Sequence, residues 1–303
     1  MEKRVLGKTG LKVTVLGYGA MEIRGPRVWK GRPVTEDEAQ RILTAVLDAG
    51  INFIDTAWCY GQAEELIGKS LGHRRQDFIL ATKCGCGFLD KGDHDETPHT
   101  WTRANLRKNI DDSLRRMQTD YIDIWQLHNP TPEQVDAEKL TEYMEEIKKE
   151  GKVRHVSISS TLPHITEYVK RGVFASYQIP YSALERKHED VIALVGRSGA
   201  GVIVRGGVAR GEPGAGLGPE DKWKVFEQAK LDELRAPGES RTAFLLRYTI
   251  SHPHMTTTIV GTKNPAHIAD NVKAVQAGVL APKVYEEAKR RLTAAGQVPE
   301  AVA

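Results

Sequence analysis

Four ionisable residues stand at or just beyond the polar ends of short apolar runs: Asp55 and Tyr60 after INFI, Lys83 after FILAT, and His128 closing YIDIWQLH. Parallel strands packed side by side bring their carboxyl ends to one face, where function concentrates in α/β folds. On such a face the four residues make an acid, a tuning cation, its counter-ion and an orienting imidazole, a set suited to proton transfer to a carbonyl oxygen. Each also has an ordinary explanation: Asp55 as a helix cap, Tyr60 as an edge-of-core aromatic, Lys83 as a surface cation, His128 as a satisfied polar residue. Jointly they resist it, because lysine and aspartate directly after buried strands are costly to desolvate unless they pair.

The elements that must position them are legible in the pattern. Strand-like runs occur as VTVLGYG at 13–19, INFI at 51–54, FILATK at 78–83, YIDIWQLH at 121–128, VRHVSIS at 153–159, ASYQIP at 175–180, GVIVR at 201–205 and TTTIVG at 256–261. Eight is the number a closed barrel needs. Helical stretches lie between them. Thr35 and Glu38 make a capping box ahead of the stripe Ile42, Leu43, Val46 and Leu47, and Gly50 stops that helix. From Thr102, Leu106, Ile110 and Leu114 recur every four residues, and a further helix is predicted from Glu133 to Lys149. Asn264 and Pro265 form a cap and first position, with Ile268, Val272 and Val275 facing inward. Unbroken alternation from residue 13 to about residue 277 predicts one α/β domain over 1–303, a (β/α)8 TIM barrel. Two long connections, 84–100 and 206–225, leave the carboxyl ends of strands and are expected to border the site.

Several motifs fail. The GKS tripeptide at Gly68 lies too far from Gly61 for a phosphate loop, and the intervening QAEELI is helical. Tyr285 and Lys289 have the Tyr-x-x-x-Lys spacing of another reductase class but lie beyond the last strand. No Gly-x-Gly-x-x-Gly follows the first strand, which argues against a Rossmann site. Cys84, Cys86, His94 and His99 share one loop without a second spaced pair, so no metal is expected. His252 and His254 flank Pro253 and are expected to be solvated.

Composition narrows the class. A formal charge of +3 is too slight to argue for nucleic acid, and three cysteines give no disulfide framework and fit a reducing compartment. No apolar run approaches a membrane span, and MEKRVLGKTG has no apolar leader region. The expectation is a cytoplasmic protein acting on a small molecule, with neither nucleic acid nor membrane as partner.

The chain also resembles the aldo-keto reductases over nearly its whole length. RVLGKTGLKVTVLGYGAM is similar to that family's opening hairpin and first strand, FIDTAWCYGQAEELIGKSL to its Asp-Thr-Ala and Tyr-Gly signature, and TRANLRKNIDDSLRRMQTDYIDIWQLH to its third-helix motif. GKVRHVSISS, SYQIPYSALER and IVGTKNPAHIADN complete the series. The resemblance implies a barrel with an N-terminal β-hairpin that binds an extended nicotinamide dinucleotide, and a catalytic tetrad at Asp55, Tyr60, Lys83 and His128. Tyr60 would give the proton to the carbonyl oxygen. Lys83 would lower its phenol below the ordinary value of about 10, Asp55 would hold Lys83, and His128 would position the substrate oxygen.

The resemblance further implies that Ser159, Ser160 and Gln178 hold the nicotinamide carboxamide, although asparagine is commoner where Ser160 stands. Gly19, Ala20 and Met21 would run beneath the cofactor, and Gly206, Gly207 and Arg210 would approach the pyrophosphate. Arg205 stands where the family usually stacks an aromatic ring, so a bias toward the reduced, uncharged nicotinamide and toward carbonyl reduction is expected, the alternative being that Arg205 reaches a phosphate or a substrate carboxylate. Gly261, Thr262, Lys263, His267, Asp270 and Asn271 align with the adenosine end. They favour NADP(H), with NAD(H) as the alternative, and His267 replaces a common arginine. Trp29, Trp58, Phe88 and Trp101 are expected at the rim, whereas Trp125 belongs to the core. The expected activity is NADP(H)-dependent reduction of an aldehyde or ketone. The rivals are oxidation of a sugar or cyclic alcohol, and a cofactor-sensing regulatory subunit, which would carry extra sequence before the hairpin.

Overall fold

The computed structural model describes residues 1–302. Its chain opens with an antiparallel hairpin of β1 (Lys3–Val5) and β2 (Lys12–Thr14), then enters the barrel at β3 (Leu16–Gly19). Helix α1 (Glu36–Asp48) leads to β4 (Phe53–Asp55), α2 (Ala63–Leu71) to β5 (Ile79–Cys84), and a small hairpin of β6 (Leu89–Asp90) and β7 (Asp95–Glu96) interrupts the next connection. Then follow α3 (Arg103–Arg116), β8 (Ile122–His128), α4 (Pro132–Ala137), α5 (Leu140–Lys149), β9 (Val153–Ser159), α6 (His164–Arg171), β10 (Ser176–Pro180), α7 (Glu189–Arg197) and β11 (Gly201–Arg205). The chain closes with α8 (Glu220–Gln228), α9 (Arg241–Ile250), β12 (Thr257–Val260), α10 (Pro265–Gln276) and α11 (Pro282–Ala294). The eight parallel strands β3, β4, β5, β8, β9, β10, β11 and β12 pair in chain order around a closed barrel. This is the (β/α)8 architecture that the strand count predicts.

Two boundaries depart from the sequence reading. The run 13–19 is divided: its first part pairs with the hairpin, its second with the barrel, and the Thr14 hydroxyl donates to the Leu16 carbonyl at 2.7 Å across the bend. Apolar alternation is the same on both sides of that bend, so it cannot mark it. The helix predicted over 133–149 is two helices separated by Lys139 in the left-handed region at φ 48°. The apolar step from Val135 to Leu140 is five residues, which a continuous helix would place on different faces. The expected capping box of α1 and the expected Asn264 cap are present, and Thr102 caps α3 by accepting the Asn105 amide.

The barrel floor is apolar. Leu6, Leu11 and Val13 of the hairpin pack against Phe53, Ala81, Ile124 and Ile203, all buried. These four strand residues therefore point inward, and because side chains alternate along a strand, the residues two further on point inward as well, one layer higher. Those residues are Asp55, Lys83, Gln126 and Arg205. A greasy lower layer closed by the hairpin thus supports a polar upper layer.

His252 corrects an expectation. Rather than being solvated it is buried, its ring 5.5 Å from and edge-on to that of Tyr181, with Nδ1 accepting the His254 amide at 3.2 Å. The turn after α9 packs its histidine against Tyr181 instead of presenting it to solvent. Burial lowers the pKa of His252 to about 4 and that of buried His188 likewise to about 4. Both stay neutral in the folded chain and titrate at about 6.5 once unfolded. Their stabilising effect is therefore complete above about pH 6.5 and is lost as pH falls from there toward 4. The free energy of unfolding is expected to fall through that window by on the order of 3 kcal/mol per histidine, with the melting midpoint falling accordingly. Thermal melts at stepped pH test this, and His252→Asn should flatten part of the slope.

Candidate active site

Strand register delivers the inward polar residues to one another. Lys83 on β5 pairs with Gln126 on β8, His128 on β8 with Ser159 on β9, and Ser159 with Gln178 on β10. The Lys83 ammonium donates to Asp55 Oδ2 at 2.5 Å and to the Thr56 carbonyl at 2.8 Å. Asp55 Oδ1 in turn accepts amide hydrogens from Gln126 and Gln178, each at 2.8 Å. Lys83 and Asp55 are both about 1% exposed. Burial works against the ammonium, and Asp55 with Tyr60 outweighs it, so the Lys83 pKa lies above the usual lysine value.

Tyr60 comes from the loop after β4 and must be held there by other means. Gly61 sits at φ +49°, with the Arg24 carbonyl only 2.2 Å from where a Cβ would be, so only glycine fits that crossing. Gln62 donates its amide to the same carbonyl at 3.1 Å. On the other side Glu64, buried behind the barrel wall, accepts from Thr82 and Ser113 at 2.7 Å each and pairs with Arg116, which holds the Trp58 carbonyl at 3.1 Å. The result places the Lys83 ammonium 5.0 Å from the Tyr60 ring centroid and the His128 ring 6.2 Å from it. The four residues named from the sequence thus share one place.

The sequence expectation of a lowered Tyr60 pKa is not met. Burial raises it above 10, and Lys83 and Arg205, which pull it down, do not compensate. Tyr60 is therefore a protonated phenol at neutral pH. His128 is held well below the usual imidazole range, by burial first and then by Lys83, His99 and Arg205, and is neutral. Its Nδ1 faces the thiols of Cys86 at 3.4 Å and Cys59 at 3.6 Å. A thiol donating to Nδ1 leaves the ring proton on Nε2, the tautomer that can give a hydrogen bond to a carbonyl oxygen.

Around this centre the other named residues are distributed unevenly. Trp29, at the uncommon φ of 45°, has its carbonyl held by Arg24 at 2.9 Å and presents its ring edge-on to Tyr60 at 5.4 Å. Trp101 is buried and stacks on His99, whose ring is 5.5 Å from that of His128. Trp58 faces α3, donating to Asp112 at 3.2 Å, and carries Phe88 on its outer side at 4.7 Å. Arg205 ends β11 half-buried. Among the described residues its guanidinium has no carboxylate partner, and its charge reaches both Tyr60 and His128. The hydroxyls of Tyr60, Ser159 and Ser160 likewise make no hydrogen bond to protein among the described residues. Gly19 and Gly261 meet where β3 and β12 end, a Cβ on Gly261 lying 2.6 Å from the Gly19 carbonyl. Ala20 is buried beside them and Met21 half-buried. Gly206 has φ +77° with open space at its Cβ position, Gly207 lies against Thr258, and exposed Arg210 is in the left-handed region at φ 65°. Thr262 Oγ1 is 3.2 Å from His267 Nδ1, Lys263 donates to the Pro33 carbonyl at 2.6 Å, and Asp270 and Asn271 follow on α10.

A model of the aldo/keto reductase family matches residues 15–291. The chain belongs to that family. Similar proteins include an uncharacterised oxidoreductase of Bacillus subtilis, 31% identical with 91% of this chain and 92% of the relative covered. L-galactose dehydrogenase of Arabidopsis thaliana is 30% identical, with 91% and 88% covered. Among solved structures, an aldo-keto reductase of Bacillus halodurans in its holo form has a TM-score of 0.83 at 34% identity, covering 96% of each chain. This aldo-keto reductase is accordingly an NAD(P)-dependent oxidoreductase, and no helix among its described residues is long and apolar enough to cross a membrane.

Gln126, Thr56 and Cys59 touch the centre yet were not named in advance. Gln126 was accessible: it stands two residues before His128 in one strand and so shares its face. Cys59 gives no such signal, because the loop after β4 has no period.

Replacing Asp55 with asparagine leaves a buried ammonium without its counter-charge, and is expected to destabilise the fold by about 3–5 kcal/mol. The double variant Asp55→Asn with Lys83→Met should regain a large part of that loss. Urea unfolding of both variants and the parent measures it, and equal losses in single and double variants would contradict the pairing.

Proposed function

We propose that this aldo-keto reductase reduces a small aldehyde or ketone, with NADP(H) as cofactor and Tyr60 as the acid. The observation that carries the reading is the Tyr60 ring held 5.0 Å from the ammonium of the buried Lys83–Asp55 pair and 6.2 Å from the His128 ring. A nicotinamide bound at this mouth supplies the hydride. As negative charge grows on the substrate oxygen, Tyr60 gives up its proton, and the Lys83 ammonium stabilises the phenolate that results. Lys83 can do so because Asp55 keeps it charged, and Asp55 is kept in place by Gln126 and Gln178. His128 donates from Nε2 and fixes the oxygen. Buried thiols at Cys59, Cys84 and Cys86, with no disulfide, favour the cytoplasm as its place of action.

At neutral pH Tyr60 is in the protonated form that the reducing direction needs as its proton donor. A second reading, oxidation of a sugar-like or cyclic alcohol, is favoured by the relative named for L-galactose. For the cofactor, Gly206, Gly207 and Arg210 would take the pyrophosphate, Gly19, Ala20 and Met21 would underlie it, and Ser159 and Ser160 would hold the carboxamide. Gln178 would join them with the amide valences that Asp55 leaves over. Thr262, Lys263 and His267 would meet the 2′-phosphate, with Gly261, Asp270 and Asn271 around the adenosine, and NAD(H) is the alternative. Trp29, Phe88 and the ring pair of His99 and Trp101 would shape the substrate space, Trp58 backing Phe88. We take residues 1–303 as one working domain, since the hairpin closes the barrel floor and Arg186 ties α11 to the wall through the Lys289 and Gln297 carbonyls, each at 3.0 Å.

Tyr60→Phe is expected to abolish turnover while leaving cofactor affinity within about twofold, because the hydroxyl acts mainly in the transition state. In the parent, reduction should hold its rate through the ordinary phenol range and lose it only at higher pH, because burial raises the Tyr60 phenol. Steady-state assays across pH and fluorescence-quenching titrations check both, and near-parental turnover in Tyr60→Phe would refute the acid assignment.

Titrating NADPH, NADH and their oxidised forms against the parent and Arg205→Tyr tests the cofactor and the role of Arg205. Tighter binding of NADPH than NADH is expected, with Arg205→Tyr raising affinity for the oxidised form more than for the reduced. Equal changes in both would remove the proposed bias toward reduction.

A further inference from the structure

Three soft or borderline donor atoms meet beside the proposed acid, each from a different segment. Cys59 lies in the loop after β4, Cys86 in the loop after β5, and His128 at the end of β8. Their Sγ, Sγ and Nδ1 atoms are separated by 3.0 Å between the sulfurs, and by 3.4 and 3.6 Å from the nitrogen to Cys86 and Cys59. The two thiols are 0–1% exposed. Hydride transfer as derived above uses neither sulfur as a reactant.

We propose that Cys59, Cys86 and His128 Nδ1 form a binding site for a soft divalent cation of the Zn2+ type. Tetrahedral zinc, with bonds of about 2.3 Å to sulfur and 2.0–2.1 Å to nitrogen, sets ligand edges of about 3.5 Å for S···N and about 3.7 Å for S···S. Both S···N edges already have that length. Only the sulfur pair must open, by less than 1 Å, a rotation about the Cα–Cβ bonds. The backbone beneath is anchored: Asn109 accepts the Gly85 amide at 2.8 Å and donates to the Cys86 carbonyl at 3.1 Å, and Asn105 donates to the same carbonyl at 3.2 Å. The three ligands leave a fourth tetrahedral position for water or a further donor.

The charge balance suits a divalent ion. On binding, each thiol loses its proton to solvent, two sulfur–metal bonds and one nitrogen–metal bond form, and the site as a whole stays neutral. An uncompensated cation would be repelled by Lys83 and Arg205, but one carrying two thiolates is not. Because a thiol must give up its proton to bind the ion as thiolate, uptake should strengthen as pH rises. Coordination at Nδ1 keeps the proton on Nε2, so the ion occupies the side of His128 that faces away from the bond it is proposed to give the substrate. A disulfide is the competing fate of the sulfur pair. It would need the sulfurs to close by about 1 Å, and it gives Nδ1 no partner.

The test uses the whole chain, reduced and freed of metal, titrated anaerobically with Co2+ as an absorbing stand-in and then with Zn2+. One equivalent of Co2+ should produce thiolate-to-metal absorption, release two protons per ion and be displaced by Zn2+. Cys59→Ala and Cys86→Ala should each weaken uptake at least tenfold. Cys84→Ala should not, since that thiol is turned to the Gln126 carbonyl at 3.3 Å. On the parent itself, Zn2+ should protect Cys59 and Cys86 from alkylation, read by peptide mass, which needs no variant to fold. Absence of thiolate absorption, equal uptake in Cys59→Ala, or alkylation indifferent to Zn2+ would overturn the proposal. So would an unreduced chain lighter by two hydrogens at the Cys59–Cys86 pair that takes up no metal after reduction. These readouts need neither cofactor nor turnover, so they stand or fall apart from the reductase reading.

Discussion

A buried ammonium against a buried carboxylate is the constraint around which the upper barrel is built. Lys83 and Asp55 are almost fully withdrawn from water, and a pair so placed persists only if its remaining valences are filled. The Thr56 carbonyl fills one on the lysine side, and the amides of Gln126 and Gln178 fill two on the aspartate side. Three further strands and one loop are thereby committed to holding a single positive charge at a fixed depth. The phenol above it inherits both the charge and the dryness, which act on its acidity in opposite directions, and the dryness prevails.

That polar layer is possible because the layer below is apolar and closed. Phe53, Ala81 and Ile124 sit two residues before Asp55, Lys83 and Gln126 in the same strands, and the hairpin residues Leu6, Leu11 and Val13 seal them from below. Water is excluded from the floor, so polar side chains one step higher must satisfy each other or a ligand entering from above. The hydroxyls of Tyr60, Ser159 and Ser160, and Arg205, which has no carboxylate partner among the described residues, are on that open side.

Loops contribute what strands cannot. Tyr60 lies five residues past the end of its strand's last inward position, and its place depends on Arg24 and Gly61 in front and on Glu64 with Arg116 behind. Arg24 also grips the carbonyls of Met21, Val28 and Trp29, so one guanidinium orders both the first rim loop and the segment bearing the phenol. Arg27 extends the same rim by pairing with Asp90 and Asp95 at 2.8 Å each, which draws the hairpin of β6 and β7 toward it. The long connection after β5 is therefore a bordering element, as its length suggested.

The sequence alone carried the periodic information. Alternating apolar runs and capped helical stripes are local, so the eight strands, most helices and the inward phase of Asp55, Lys83 and His128 could be read from it, and the family motifs added the phenol. What lacks a period was decided only by the assembled chain. Whereas the break at Lys139 was written locally in the five-residue step from Val135 to Leu140, the bend that separates β2 from β3, the burial of His252 and the net rise in the Tyr60 pKa each depend on residues distant in sequence. So does the meeting of Cys59 with Cys86 and His128, since three atoms from three connections become neighbours only when the barrel closes.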